Sequence, residues 1–124
     1  MSNMRAELGV LQVVPATDEI AVLCLEGEFD RANAPRIIEE GDRIIGDGKH
    51  LIVDLSASTF IDSSVINALF HLGDQAMTER RVAVMQLGTA AIVERVIELT
   101  RIERVLPRTA TRQEAIETVE RLER

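Results

Sequence analysis

The sequence predicts an α/β domain built on a mixed β-sheet of four to five strands with about four helices, the central strands parallel and an N-terminal strand antiparallel. Three observations predict it. The run Leu51-Ile52-Val53 is aliphatic with no polar alternation, as in a strand buried on both faces. Stretches with apolar residues at helical spacing alternate with such short runs, which is the order of a strand-helix-strand unit. Near the N-terminus, two β-prone segments are joined by the turn-like Pro15-Ala16-Thr17-Asp18-Glu19, as in an antiparallel pair.

In chain order, the first β-prone segment is Leu8 to Val14 and the second is Ile20 to Leu25, which ends at Glu26-Gly27-Glu28-Phe29-Asp30. Gly27 in that position suggests a bulge or a close backbone approach, and Asp30 lies just past the strand. Asn33 suits an N-cap and Pro35 suits a first helical turn, where an amide hydrogen has no intrahelical partner. Ile37, Ile38, Ile44 and Ile45 supply the apolar side of that helix, and Gly46-Asp47-Gly48 its stop. The central strand runs from Lys49 to Ser56. A helix then begins near Asp62-Ser63-Ser64, residue types that favour helix starts, and continues to Thr78. Val65, Ala68, Leu69, Leu72 and Ala76 share one side of it. Ser64, Asn67, His71, Asp74, Gln75 and Thr78 fall in an arc of roughly 100° on the other, so Ser64 is expected to face solvent. Arg80-Arg81 reads as a solvated turn before the strand Val82 to Leu87. Gly88-Thr89 open a helix to about Thr100 whose apolar stripe is Ile92, Val93, Val96, Ile97 and Leu99, and a brief strand is expected near Val105-Leu106. Thr111-Arg112-Gln113-Glu114 matches a capping box at the start of a last helix to Leu122. No repeat or linker divides residues 1–124, so one domain is expected.

Composition narrows the function classes. A chain of 124 residues can bury roughly two thirds of its unfolded surface in one core. A net charge of -7, with 3 Phe as its aromatic residues, lacks the basic face and stacking platforms of a nucleic-acid binder, so no direct nucleic-acid contact is expected. No apolar run approaches the roughly 18 residues of a membrane span and no leader pattern is present, so no membrane insertion and a cytoplasmic location are expected. Cys24, inside an apolar run, reads as a buried and inert thiol. With 2 His and 1 Cys at no ligand-like spacing, no metal or other cofactor is expected. Asp54 belongs to a strand, no nucleophile and base pair can be assembled, and the chain reads as a non-enzyme. Gly46 and Gly48 lack the further glycine that would open a phosphate-binding helix.

Function is sought at the carboxyl end of the central strand, where open α/β sheets carry their sites. On pattern alone, Ser63 and Ser64 are simply helix-start residues. However, Val53-Asp54-Leu55-Ser56 followed by Phe60-Ile61-Asp62-Ser63-Ser64 resembles the signature of the sulfate-transporter and anti-sigma-factor-antagonist (STAS) domain. Gly27-Glu28-Phe29-Asp30 resembles that family's second recurring element, and the order of elements matches from about Leu8 to Leu122. The resemblance implies the STAS fold and a non-enzymatic anti-sigma factor antagonist in a partner-switching pathway. Its partner would be an anti-sigma factor that is also a serine kinase, with a phosphatase as a further partner. The family's phosphoacceptor, the second serine of the motif, falls on Ser64. Asp30 is then expected near Ser64 and in contact with the partner, and Asp62 is expected to shape the field around it. Ser63, Asn67 and His71 are expected to extend the partner surface. The sequence departs from the family where antagonists commonly carry glycine, with Val65 and Asn67 instead, and a branched Val65 is expected to crowd an approaching kinase. Two other readings fit the same chain. One is a scaffolding STAS subunit of a stress-signalling or transport complex. The other is a small-ligand or nucleotide module that uses the helix starts at Ser64 and Thr89 as anion sites.

Overall fold

The computed structural model describes residues 9–89 and 91–123. The elements are β1 (Val10–Pro15), β2 (Ile20–Phe29), α1 (Ala34–Gly46), β3 (His50–Ile61), α2 (Ser63–Thr78), β4 (Ala83–Gln86), α3 (Ala91–Thr100), a 3-10 turn at Ile102–Arg104, β5 (Arg108–Thr109) and α4 (Arg112–Leu122). They form one sheet in the order β1-β2-β3-β4-β5. β1 runs antiparallel to β2, and every other pairing is parallel.

Period-two alternation sorts the strands onto two faces. Leu23, Leu25, Leu51, Val53, Leu55 and Met85 enter the larger core, with Ile37 of α1, Leu69 and Leu72 of α2 and Val93 and Ile97 of α3. Ile20, Val22, Ile52 and Val84 point the other way, against Ala115 and Val119 of α4. Helices thus cover both faces, which is why the central strand has no polar alternation. α1 and α2 approach so closely that a Cβ on Gly41 would clash with the Leu72 side chain. Among the described residues, no helix is long and apolar enough to cross a membrane.

The course of β3 positions the site. It does not stop near Ser56 but continues to Ile61. Its pairing with β4 ends at Asp54–Gln86, whereas its pairing with β2 runs on to Phe29–Ile61. Two register shifts accompany the extension, between Cys24 and Glu26 and between Gly27 and Glu28. Gly27, at φ 92, takes the left-handed conformation that glycine adopts without strain, at the bulge its position suggests. The Ser58 hydroxyl donates to the Leu25 carbonyl at 3.1 Å beside the first shift. Phe29 and Ile61 are both buried, so the chain leaves the sheet at Asp30 and Asp62 side by side.

Several expectations are corrected. Leu8 and the side chain of Ile92 lie outside the described residues. The brief strand expected near Val105-Leu106 lies just beyond them, at Arg108–Thr109, paired with Met85 and Gln86; Val105 and Leu106 follow the 3-10 turn, with Leu106 buried in the larger core. Gly88 and Thr89 form a turn ahead of α3, with Gly88 at φ 61. Asn33 holds the N-cap position of α1, but its side chain makes no capping bond. Arg80 is exposed, while Arg81 is half-buried, with its Nη1 donating to the Arg80 carbonyl.

Candidate functional site

Asp62 leaves β3 in extended conformation and caps α2, its Oδ1 accepting from the amides of Ser64 at 2.9 Å and Val65 at 3.3 Å. This short polar side chain satisfies amides that the helix cannot satisfy itself. Facing it, the loop between β2 and α1 is closed by its own side chains. Asp30 Oδ1 accepts from the Ala32 amide at 2.9 Å. Asn33 Oδ1 accepts from the Asp30 amide at 2.8 Å, and its Nδ2 donates to the Glu28 carbonyl at 3.2 Å. The Asn33 side chain is therefore committed to this loop, which is why it does not cap α1.

Asp30, Arg31, Ala32, Asp62, Ser63 and Ser64 line one concavity of 490 Å³. Four of the six residues expected at the site meet here: Asp30, Asp62, Ser63 and Ser64. Ser63 is exposed, and Ser64 is half-buried in the wall of the concavity, less open to solvent than its place on the helix suggests. Neither serine hydroxyl has a hydrogen-bond partner among the described residues. Each aspartate commits an oxygen to backbone amides and neither receives a serine proton, so the arrangement presents a hydroxyl without activating it.

Asn67 is exposed one turn along α2. His71 turns away from the concavity towards α1, its Nε2 lying 3.0 and 2.9 Å from the two carboxylate oxygens of Asp42. It ties two helices together. Val65 is fully buried in the larger core, so the crowding expected beside Ser64 does not occur: the branched side chain points inward. Arg31, the cation in the lining, was missed in the sequence; its signal is its place directly after Asp30 at the end of a strand.

A second polar group was also missed. Cys24, Asp54 and Gln86 stand in register across three strands on the face covered by α4. Arg112 reaches back from the first turn of α4, donating from Nη2 to Asp54 Oδ2 at 2.8 Å and from Nε to Gln86 Oε1 at 2.6 Å. Asp54 Oδ1 accepts from the amide of Ser56 at 2.9 Å and from its hydroxyl at 2.6 Å. This pins β3 at the point where it parts from β4. Burial, and then the Asp54 carboxylate, push the Cys24 thiol up from its ordinary value, while Arg112 acts in the opposite sense. The thiol stays protonated at neutral pH, which keeps it unreactive.

Glu19, His50 and Glu123 form a third group, close enough to suggest a metal site. The imidazole argues against that role. His50 Nδ1 accepts from the Val82 amide at 2.9 Å, so the neutral ring carries its hydrogen on Nε2, which lies 3.4 Å from Glu123 Oε1. The lone pair that a metal would need is occupied by a proton, and the contact joins the end of α4 to the starts of β3 and β4.

Comparison with known proteins gives a consistent result. The family model described as the STAS domain matches residues 12–115. A search of curated proteins finds no match. Among solved structures, an anti-sigma factor antagonist from Mycobacterium paratuberculosis is 25% identical with a TM-score of 0.78, over 92% of this chain and 96% of that one. The anti-sigma factor antagonist SpoIIAA in its unphosphorylated form is 22% identical with a TM-score of 0.71, over 90% of this chain and 96% of that one. The Bacillus cell fate determinant SpoIIAA in its phosphorylated form is 21% identical with a TM-score of 0.65, over 89% of this chain and 99% of that one. The sheet order, the cap at Asp62 and the matched span together place the sequence motif in the context it requires, and the chain belongs to the STAS domain family.

Proposed function

We propose that this chain is an anti-sigma factor antagonist that binds an anti-sigma factor with serine kinase activity, and that phosphorylation of Ser64 releases that partner. The observation that carries this reading is the Ser64 hydroxyl, free of hydrogen bonds among the described residues, in the wall of a concavity between Asp30 and Asp62. The neighbours support it: two of the structures that share the fold are antagonists, one of them known in unphosphorylated and phosphorylated forms. The buried Val65 leaves the approach to Ser64 clear.

Phosphorylation adds about -1.5 to -2 charge and three acceptor oxygens. Beside Asp30 and Asp62, that charge confronts a partner surface shaped for a neutral hydroxyl between two carboxylates. A loss of about 3 kcal/mol corresponds to a little over a hundredfold in affinity, enough for a switch. The chain acts in the cytoplasm as substrate and binding module. The kinase supplies the phosphoryl-transfer machinery, and a phosphatase restores the binding form. Ser63, Asn67 and the exposed edge of α2 extend the partner surface.

Incubation with ATP and candidate anti-sigma kinases, followed by intact-mass analysis and site mapping, is expected to give one phosphate, at Ser64, that is absent from Ser64→Ala. Titration calorimetry of Ser64→Asp against the kinase is expected to show about a hundredfold weaker binding. Equal affinity of Ser64→Asp and the unsubstituted protein would overturn the switch.

A further inference from the structure

We infer that Arg31, which lines the same concavity and has no partner among the described residues, is the counter-ion of a phosphate on Ser64. The inference rests on the phosphorylation reading above and assigns the residue that reads the modification.

Four observations point to Arg31. It lines the concavity together with Ser63 and Ser64, and among the described residues it is the cation of a lining that also holds Asp30 and Asp62. Its side chain makes no hydrogen bond or ion pair among the described residues, although two carboxylates line the same space. Its backbone is fixed, because the side chains of Asp30 and Asn33 close the loop on either side of it. The last β2–β3 pair is Phe29–Ile61, so Arg31 is two residues beyond it on one strand and Ser63 two beyond it on the other. Neighbouring strands lie about 4.8 Å apart, and the arginine side chain is long enough to cross that gap to the next residue.

The electrostatics give the residue a purpose. A phosphoserine dianion placed between Asp30 and Asp62 would be opposed by both. A guanidinium in the same space offsets that opposition, and its planar fork can donate two parallel hydrogen bonds to phosphate oxygens. In the unmodified protein, the same fork is available to an acidic group on the partner. Phosphorylation would then both add repulsive charge and withdraw a cation from the interface.

The test does not depend on any kinase. Phosphoserine is incorporated at position 64 during synthesis, and its phosphorus resonance is followed against pH in the otherwise native protein, in Arg31→Gln and in Arg31→Lys. A phosphoserine loses its second proton near pH 6. With Arg31 in place, the midpoint is expected to be lower than in Arg31→Gln, by at least about threefold in the dissociation constant, because a nearby cation favours the dianion. Arg31→Lys is expected to fall between them, since it keeps the charge and loses the fork. Identical midpoints in the native protein and Arg31→Gln would overturn the counter-ion and leave phosphorylation at Ser64 untouched. Failure of every kinase to modify Ser64, with the midpoint shift present, would sink the switch and leave the phosphate-reading geometry standing. Arg31 is exposed, so unphosphorylated Arg31→Gln is expected to melt with the native protein.

Discussion

The starts of α2 and α4 are built from similar parts and end in opposite states. Each follows a strand of the sheet, each is capped by its own side chain, and each has charged residues close by. At α4, the Thr111 hydroxyl accepts from the Glu114 amide at 3.1 Å, the Glu114 carboxylate accepts from the Ala110 amide at 2.6 Å, and Arg112 folds back onto Asp54 and Gln86. Its polar groups are matched within the molecule. At α2, among the described residues, only Asp62 is used in this way, and the hydroxyls of Ser63 and Ser64 and the guanidinium of Arg31 have no partner around a concavity. The difference teaches how to tell a polar group that holds a fold from one that is available to another molecule: the first has exhausted its hydrogen bonds at home.

Substitutions can break or sharpen this contrast. The largest stability effect is expected from Asp54→Ala. It removes a carboxylate whose side chain is 12% exposed, and with it the tie to Ser56 and the partner of Arg112. Arg112 is 37% exposed and can turn to water, so the loss is set below that of a fully buried pair, at about 2 kcal/mol. Thermal unfolding should fall by roughly 6–10 °C, while the folded fraction binds its partner with native affinity. If Asp54→Ala instead impaired binding and left stability intact, the division between the two helix starts would collapse.

Asp62→Ala comes next, with about 1 kcal/mol lost with the cap. Asp62→Ser keeps a capping oxygen and should recover most of that stability in a denaturant melt. It still removes the carboxylate beside Ser64, so a change in partner affinity that persists in Asp62→Ser would belong to charge and not to folding. The smallest effect is expected from His71→Ala, about 0.5 kcal/mol or less, because the contact with Asp42 is half-exposed. Calorimetry on the same variant decides how far the partner surface extends: more than a threefold loss of affinity would carry it round to α1, and native affinity would confine it to the concavity and the Asn67 side of α2.

What was legible in the sequence follows from how local each signal is. β2, α1, α2, β4 and α4 could be read because periodicity, caps and stops act within a few residues. The two residues of β5 have no pattern of their own and exist through pairing with Met85 and Gln86. Val105 and Leu106 misled because two apolar residues fit a strand or a buried loop equally well. The length of β3 was hidden because its last part is stabilised by β2 alone, across bulges that break alternation. At the site, Asp30, Asp62, Ser63 and Ser64 were found through motif and resemblance. Arg31 and the Asp54–Arg112 tie depend on contacts between distant stretches, to which composition and spacing are blind. The inward direction of Val65 was already present in the apolar stripe of α2, yet its place next to Ser64 suggested bulk at the surface.

The extension of β3 along β2 gives the candidate site no linear counterpart. A synthetic peptide from Ser56 to Leu72 would carry Ser64 and its neighbours but neither Asp30 nor Arg31, which arrive from a separate stretch through the last pair of the parallel ladder. An enzyme that identifies its target by this concavity must read the folded protein. A chain that has lost the pairing, through heat or a clipped backbone, would drop out of the signalling circuit without any change at Ser64 itself. Under the proposed function, folding would thereby act as a checkpoint on signalling.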